Sequence, residues 1–207
     1  MPVNGEPSRC GTTRTATART TSPDAITAAL SRWTGADDIL VGTPVANRTR
    51  QAINETMGYF AGIVPLRSPV EPEHSFSARL RALHQTTVEC FANAMPFAEL
   101  ARALGDAGAP GHNPIFEVRF ALQNHPIPDV ALPGLSAKLR MRSTGTARFH
   151  LACEITEEAE QLEVVWLFRP NLFPEAEMEN LRRIFQNLLA AACRSPETSI
   201  AALTHEL

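Results

Sequence analysis

The run from Asn113 to Asn124 (NPIFEVRFALQN) constrains the fold of this chain more than any other stretch. Asn113-Pro114 starts a turn, because a residue followed by proline is pushed out of the helical region. The next residues alternate, so a strand is expected with Ile115, Glu117 and Arg119 on one face and Phe116, Val118 and Phe120 on the other. Breakers bound it on both sides. Gly105 to His112 holds three glycines and a proline and reads as a surface loop, and Pro126, Pro128 and Pro133 follow as a proline-rich crossing. A strand confined in this way must find its partners in distant parts of the chain.

Those partners are legible as short apolar runs. Asp38 to Val45 (DILVGTPV) reads as a buried strand, with Asn47 to Arg50 as a polar loop after it. Further strands are expected over Phe60–Arg67, Leu135–Met141, Phe149–Ile155 and Leu162–Phe168, the last two joined by a solvated turn at residues 157–160. Helices alternate with them. Ser22-Pro23-Asp24 reads as a helix start, followed by Ile26, Ala29, Leu30 and Trp33 at helical spacing and by Gly35 as the stop. Phe76, Leu80, Leu83, His84, Thr87 and Phe91 mark the inner face of a second helix, and a short one spans Pro96 to Leu104. The C-terminal helix has the clearest pattern: Met178, Leu181, Ile184, Phe185, Leu188 and Ala192 form one stripe, with arginines and glutamates opposite. No internal repeat or interior linker divides the chain.

Residues 1–22 differ in kind. They are rich in threonine and arginine and nearly devoid of large apolar side chains, so a disordered tail is expected ahead of a domain at 23–207. A transit peptide shares the same look. The net charge of -3 argues against a nucleic-acid binder, and Lys138 is the only lysine. No apolar run approaches the roughly 20 residues of a membrane span, and the first residues lack a secretory core. Cys10, Cys90, Cys153 and Cys193 show no C-x-x-C spacing and read as free thiols in a reducing cytoplasm.

The search for chemistry returns mostly exclusions. There is no H-E-x-x-H, paired Cys/His cluster or calcium loop, so a metal site has little support from spacing. Glycine-rich nucleotide loops and the G-x-S-x-G elbow are missing as well. His74, His84, His112, His125, His150 and His205 are scattered. His150 is the most interesting, at the start of a buried strand behind Arg148 and Phe149; a general base there needs a neighbour to set its protonation. A packed histidine with satisfied nitrogens is the simpler reading. Cys153, read as sharing its face, makes a Cys/His pairing conceivable.

Five motifs in register add a resemblance. Trp33-Thr34-Gly35 with Asp37 to Arg48 is similar to "TGQDDIVVGTPVANR", and Met57 to Arg67 to "IGFFVNTLPLR". Ala92 to Phe97 falls on "HQDLPF", Gly111 to Phe116 on "SRNPLF", and Ala147 to Leu151 on "ARFDLTL". From Asp24 onward the chain resembles the C-terminal lobe of a nonribosomal peptide synthetase condensation domain. The departures are equally specific. Ala92 and Ala94 replace a histidine and an aspartate, Ala61-Gly62 stands for Val-Asn, Gly111-His112 for Ser-Arg, and His150 stands where aspartate is usual.

The resemblance implies an α/β fold of the chloramphenicol-acetyltransferase-like (CoA-dependent acyltransferase) class, here a single lobe with a mixed, mostly antiparallel sheet packed by helices. It implies carrier-protein phosphopantetheine arms entering a tunnel between two lobes, with no cofactor bound directly. Tyr59, Phe60, Arg67, Pro96, Phe97, Asn113, Pro114 and His150 are the motif positions expected to line the tunnel or the lobe interface. The family's active motif, H-H-x-x-x-D-G, belongs to the other lobe and does not occur in this sequence, so no catalytic residue is assigned and amide formation by this chain alone is not expected. Peptidyl carrier and adenylation domains, and a separate N-terminal lobe, are the implied partners. The alternatives are a non-catalytic docking platform and a small oligomeric acyltransferase with His150 or His112 as base.

Overall fold

Alternating burial along β3 (Gly62–Pro69) and β8 (Gln161–Phe168) places the core on one face of a sheet. The computed structural model describes residues 9–13, 18–48, 50–53, 55–105, 112–123, 130–132, 135–137, 147–158 and 161–205. Its elements are β1 (Arg9–Thr13), α1 (Ala18–Thr34), β2 (Asp38–Val45), β3 (Gly62–Pro69), α2 (Phe76–Ala92), α3 (Phe97–Ala103) and β4 (Val118–Gln123). There follow β5 (Val130–Leu132), β6 (Leu135–Ala137), β7 (Leu151–Glu158), β8 (Gln161–Phe168), α4 (Glu175–Arg194) and α5 (Ile200–His205). Six strands form one sheet in the order β1-β8-β7-β4-β2-β3, and β5 and β6 form a separate hairpin.

The pairs β1/β8, β7/β8 and β2/β3 are antiparallel, while β2/β4 and β4/β7 are parallel. The sheet is thus mixed and mostly antiparallel, as the resemblance implied. Val41, Phe120, Leu151, Cys153, Ile155, Leu162, Val164 and Trp166 are all buried in a single core with α1, α2, α4 and α5. Their alternate neighbours Gly42, Arg119 and Glu154 belong to the other face. The register explains two prolines. Pro65 and Pro69 lie on β3, the edge of the sheet, where a missing N–H can point away from the ladder.

All six apolar residues of the expected C-terminal stripe are buried on α4. Arg182, read as part of the polar face, is buried too; its guanidinium pairs with Glu175 at 3.2 Å and Glu179 at 2.8 Å. Gly35 ends α1 as expected, at φ 74°, with its N–H donating to the Ser31 carbonyl at 2.8 Å. Other boundaries move. The helix begins at Ala18 and carries Pro23 inside it, and Asp24 is buried. Strand β1 lies within the segment read as a disordered tail. Edge pairing to β8 orders it through backbone bonds that composition does not report. Residues 1–8 and 14–17, Asn124, the proline-rich crossing and most of the expected strand at 135–141 lie outside the described residues.

The largest departure is in α2. His84 is exposed and Phe91 is 46% exposed, while Arg79 is buried among Phe76 and Leu83. Arg79 donates to Asp24 Oδ1 at 2.8 Å and to the Pro69 carbonyl at 2.9 Å. Thr27 and Ser68 complete a buried polar cluster tying α1, α2 and β3 together. Burial pushes the Asp24 carboxyl up to about 6, against the opposing pull of Arg79. The folded state therefore holds this proton where the unfolded chain, near 3.8, has lost it. Stability from this group is fullest below 3.8 and declines as pH rises through about 6. Arg79→Met should cost about 3 kcal/mol or more at neutral pH by stranding the carboxylate. In denaturant titrations the gap to the parent should narrow toward pH 5; a pH-independent gap would contradict the assignment.

Candidate functional site

The parallel pairing of β4 with β7 brings the residues just before each strand to the same end of the sheet. Val118 pairs with Leu151, so Glu117 and His150 meet where the two strands begin. Their backbones are stitched together: the Glu117 carbonyl accepts from His150 N at 3.0 Å and from Leu151 N at 3.3 Å. Residues 113–117 are therefore irregular chain rather than the first half of a strand, and the expected alternation starts only at Val118. Phe120 and Ala121 are both buried, as suits a central strand covered on two faces.

The segment is seated by Phe116. Its ring lies directly over Gly42 of β2, where an added Cβ would stand 1.9 Å from Phe116 Cε2. Phe149 stacks on Phe116 with centroids 5.9 Å apart, and Phe97 at the start of α3 meets it edge-on at 5.5 Å. A glycine in the "VGTPV" run is thus required by close approach of a ring rather than by its backbone angles.

Above this aromatic base lie three titratable side chains. His112 Nδ1 is 3.0 Å from Glu117 Oε1, and His150 Nε2 is 3.3 Å from Glu117 Oε2. The two imidazole rings meet edge to face at 5.1 Å. His112 is exposed, and His150 and Glu117 are half-buried. Burial holds His150 below the usual histidine range; Glu117 opposes that shift, and Arg169 and His112 reinforce it. A histidine depressed in the folded state costs stability as pH falls through 6.5, where the unfolded chain takes up its proton.

The expected tunnel residues divide into groups. Phe97, Asn113, Pro114 and His150 are gathered around the Phe116 segment, with Pro96 capping α3. Tyr59, 90% exposed, and Phe60 belong to a loop organised by Arg48. The Arg48 guanidinium donates to the carbonyls of Ile53, Thr56 and Gly58 and lies 4.6 Å over the Phe60 ring. Arg67 is exposed on β3 and binds Asp38 at 2.7 Å, and its hydrogen bond holds that carboxyl below the ordinary range. Cys153 is no partner for His150: it is fully buried in the core, and burial pushes its thiol far up, which suppresses the nucleophilic thiolate. Sequence reasoning missed Glu117 as a functional group; the signal available was its place at the end of the Asn-Pro turn, five residues after His112.

A second surface feature is apolar. Val64, Pro65, Cys90, Met95 and Leu100 line an open groove of about 330 Å³ between β3, the end of α2 and α3. Met95 in its lining is 44% exposed, and Val88 and Phe91 on α2 are 49% and 46% exposed. Among the described residues no helix is long and apolar enough to cross a membrane.

Comparison with known proteins bears on this arrangement. The family model described as "Condensation domain" matches residues 18–205. The chain is 33% identical over 179 residues to nonribosomal peptide synthetase kk1B of Curvularia clavata, covering 83% of this chain and 1% of that protein. It is 34% identical over 180 residues to phosphinothricin tripeptide synthetase PhsB of Streptomyces viridochromogenes, covering 85% of this chain and 15% of the relative. The chain thus spans only a small part of these curated relatives. Among solved structures, the first condensation domain of the CDA synthetase superposes with a TM-score of 0.70 at 20% identity, over 95% of this chain and 47% of that one. The starter condensation domain of rhizomide synthetase RzmA gives 0.72 at 19% identity, over 97% and 48%.

Two outcomes test the site geometry. Glu117→Gln removes the one influence raising the His150 pKa, so the value read from imidazole NMR titration should fall further; a rise would contradict the pairing. Gly42→Ala should destabilise the chain by about 1–3 kcal/mol through overpacking. Adding Phe116→Leu should recover part of the loss in a thermal melt, whereas additive losses would show that the ring is not the obstacle.

Proposed function

The chain belongs to the condensation-domain family of nonribosomal peptide synthetases, and we propose that it acts as the C-terminal lobe of such a domain. In this reading it forms one wall of the tunnel in which carrier-protein-bound aminoacyl and peptidyl thioesters meet. The observation that carries it is coverage: 95–97% of this chain superposes on 47–48% of two solved condensation domains. The exposed apolar side chains of Met95 in the groove and of Val88 and Phe91 on α2 support a surface that another lobe or domain covers. Its partners in this reading are a lobe bearing H-H-x-x-x-D-G, carrier domains with their phosphopantetheine arms, and an adenylation domain. In this reading the lobe spans residues 23–207, within which the family model matches to residue 205. The half-buried and buried free thiols Cys90, Cys153 and Cys193 suit a reducing cytoplasm.

By itself the lobe does not form the amide bond. Condensation draws much of its rate from holding two tethered reactants in near-attack geometry, and one wall cannot enclose both. It also lacks the histidine that, in the family, orients or deprotonates the acceptor amine. Donor and acceptor aminoacyl carrier proteins mixed with this chain should therefore give no dipeptidyl thioester by mass spectrometry. Product should form once a family lobe carrying H-H-x-x-x-D-G is added and binds. Robust turnover by the chain alone would refute the reading.

The His150–Glu117 contact favours one second reading, a small acyltransferase. A histidine held neutral by burial, beside a carboxylate, is equipped to accept a proton near neutral pH. Any acyl transfer detected for the chain alone should then disappear in the double variant His112→Ala/His150→Ala; unchanged transfer eliminates this reading.

A further inference from the structure

We propose that His112, Glu117 and His150 form a binding site for a zinc-type divalent cation. Two imidazoles and one carboxylate are a donor set that first-row divalent metals prefer, and three protein ligands leave a fourth position open. In the motifs that this chain resembles, the positions of His112 and His150 carry arginine and aspartate. An arginine cannot ligate a metal, so the site is a property of this chain's own residues.

The geometry is close to what a metal requires. Each residue offers one donor atom, and the three atoms lie within 4.8 Å of one another. A tetrahedral zinc with bonds of about 2.0–2.1 Å places neighbouring donors about 3.3 Å apart. The Glu117 carboxylate already reaches both rings, through Oε1 to His112 at 3.0 Å and through Oε2 to His150 at 3.3 Å. The three donors must close from within 4.8 Å to about 3.3 Å, and His112, 56% exposed at its side chain, has room to move inward. Glu117 and His150 are held in place by the backbone bonds from His150 N and Leu151 N to the Glu117 carbonyl, and by Arg169 N donating to the His150 carbonyl at 3.1 Å.

An independent sign is the pair of unmet atoms at the centre. Glu117 Oε2 and His150 Nε2 are buried, face each other at 3.3 Å, and have no hydrogen-bond partner among the described residues. With the imidazole proton on Nδ1, two lone-pair acceptors confront each other and a cation between them resolves the conflict, whereas with the proton on Nε2 the ring would donate to Glu117 across the same 3.3 Å. The positive charge of Arg169, which also acts on His150, opposes a cation and tempers the affinity. The open coordination position lies on the exposed His112 side, where a water or a small anionic group can enter.

The test is to titrate zinc ion alone into the purified full chain by calorimetry, and cobalt(II) by visible absorption. Expected are one-to-one binding, the intense bands of a tetrahedral nitrogen/oxygen cobalt site, and affinity that weakens as pH falls through the imidazole range. The melting temperature should rise by about 5–10 °C at a zinc concentration about a hundred times Kd. His112→Ala, on an exposed segment where folding is not at stake, should weaken binding about tenfold or more, and Glu117→Gln likewise. His84→Ala, an exposed histidine on α2, should change nothing. Absence of saturable one-to-one binding, or binding that His112→Ala leaves intact, would overturn the proposal. Neither outcome depends on acyl transfer, so it stands or falls apart from the reading as a condensation lobe.

Discussion

One carbonyl, that of Glu117, accepts two backbone donors, and the end of the sheet that carries the candidate site is arranged around it. His150 N and Leu151 N both bind it, joining the chain entering β4 to the chain entering β7 before either strand begins. Because the two strands are parallel, everything just upstream of them converges on one edge: Phe116 with Phe149, and Glu117 with His150. An antiparallel pairing would have put these residues at opposite ends. The irregular path of residues 113–117 follows from the same constraint, since a strand continuing upstream could not turn its carbonyl to two adjacent amides.

That edge needs a rigid floor, and two features supply it. Gly42 lets the Phe116 ring lie against β2, so the segment rests on the sheet itself. On the other face, the core joins Val41, Phe120, Leu151 and Trp166 to the helices, with Trp166 and Phe185 in an edge-on contact at 5.8 Å. The Asp24–Arg79 pair sits within this packing at a cost, because desolvation of the carboxylate outweighs the attraction of the guanidinium. Its contribution is orientation: it ties α1 and α2 to β3 through groups that tolerate only one arrangement.

The membership of this chain in a condensation family and the chemistry at its sheet edge are separate matters. Family membership follows from the family-model match over residues 18–205, and superposition on about half of a solved domain shows the shared fold. His112 and His150 of the cluster occupy positions where the motifs differ. A lobe can keep its packing residues, which answer to a shared core, while the polar groups at its edge take on another role.

Sequence by itself determined the elements whose periodicity reports burial directly. The α4 stripe, the inward side of α1 from Ile26 to Leu30, and strands β2 and β8 were all readable, because a buried face leaves its spacing in the residues. The motif at Asn113-Pro114 identified the turn but not its shape. Only the tertiary structure decided what is polar and long-range. It buried Arg79, which shares the inner face of α2 with Phe76 and Leu83 by spacing but whose charge alone argues for solvent, because its partner Asp24 lies in a different helix. It paired β1 onto β8 from a segment whose composition gives no sign of order, since backbone hydrogen bonds are blind to side-chain hydrophobicity. It also joined His112, Glu117 and His150, which no spacing rule connects, because β4 and β7 come to lie side by side only when the whole sheet has formed.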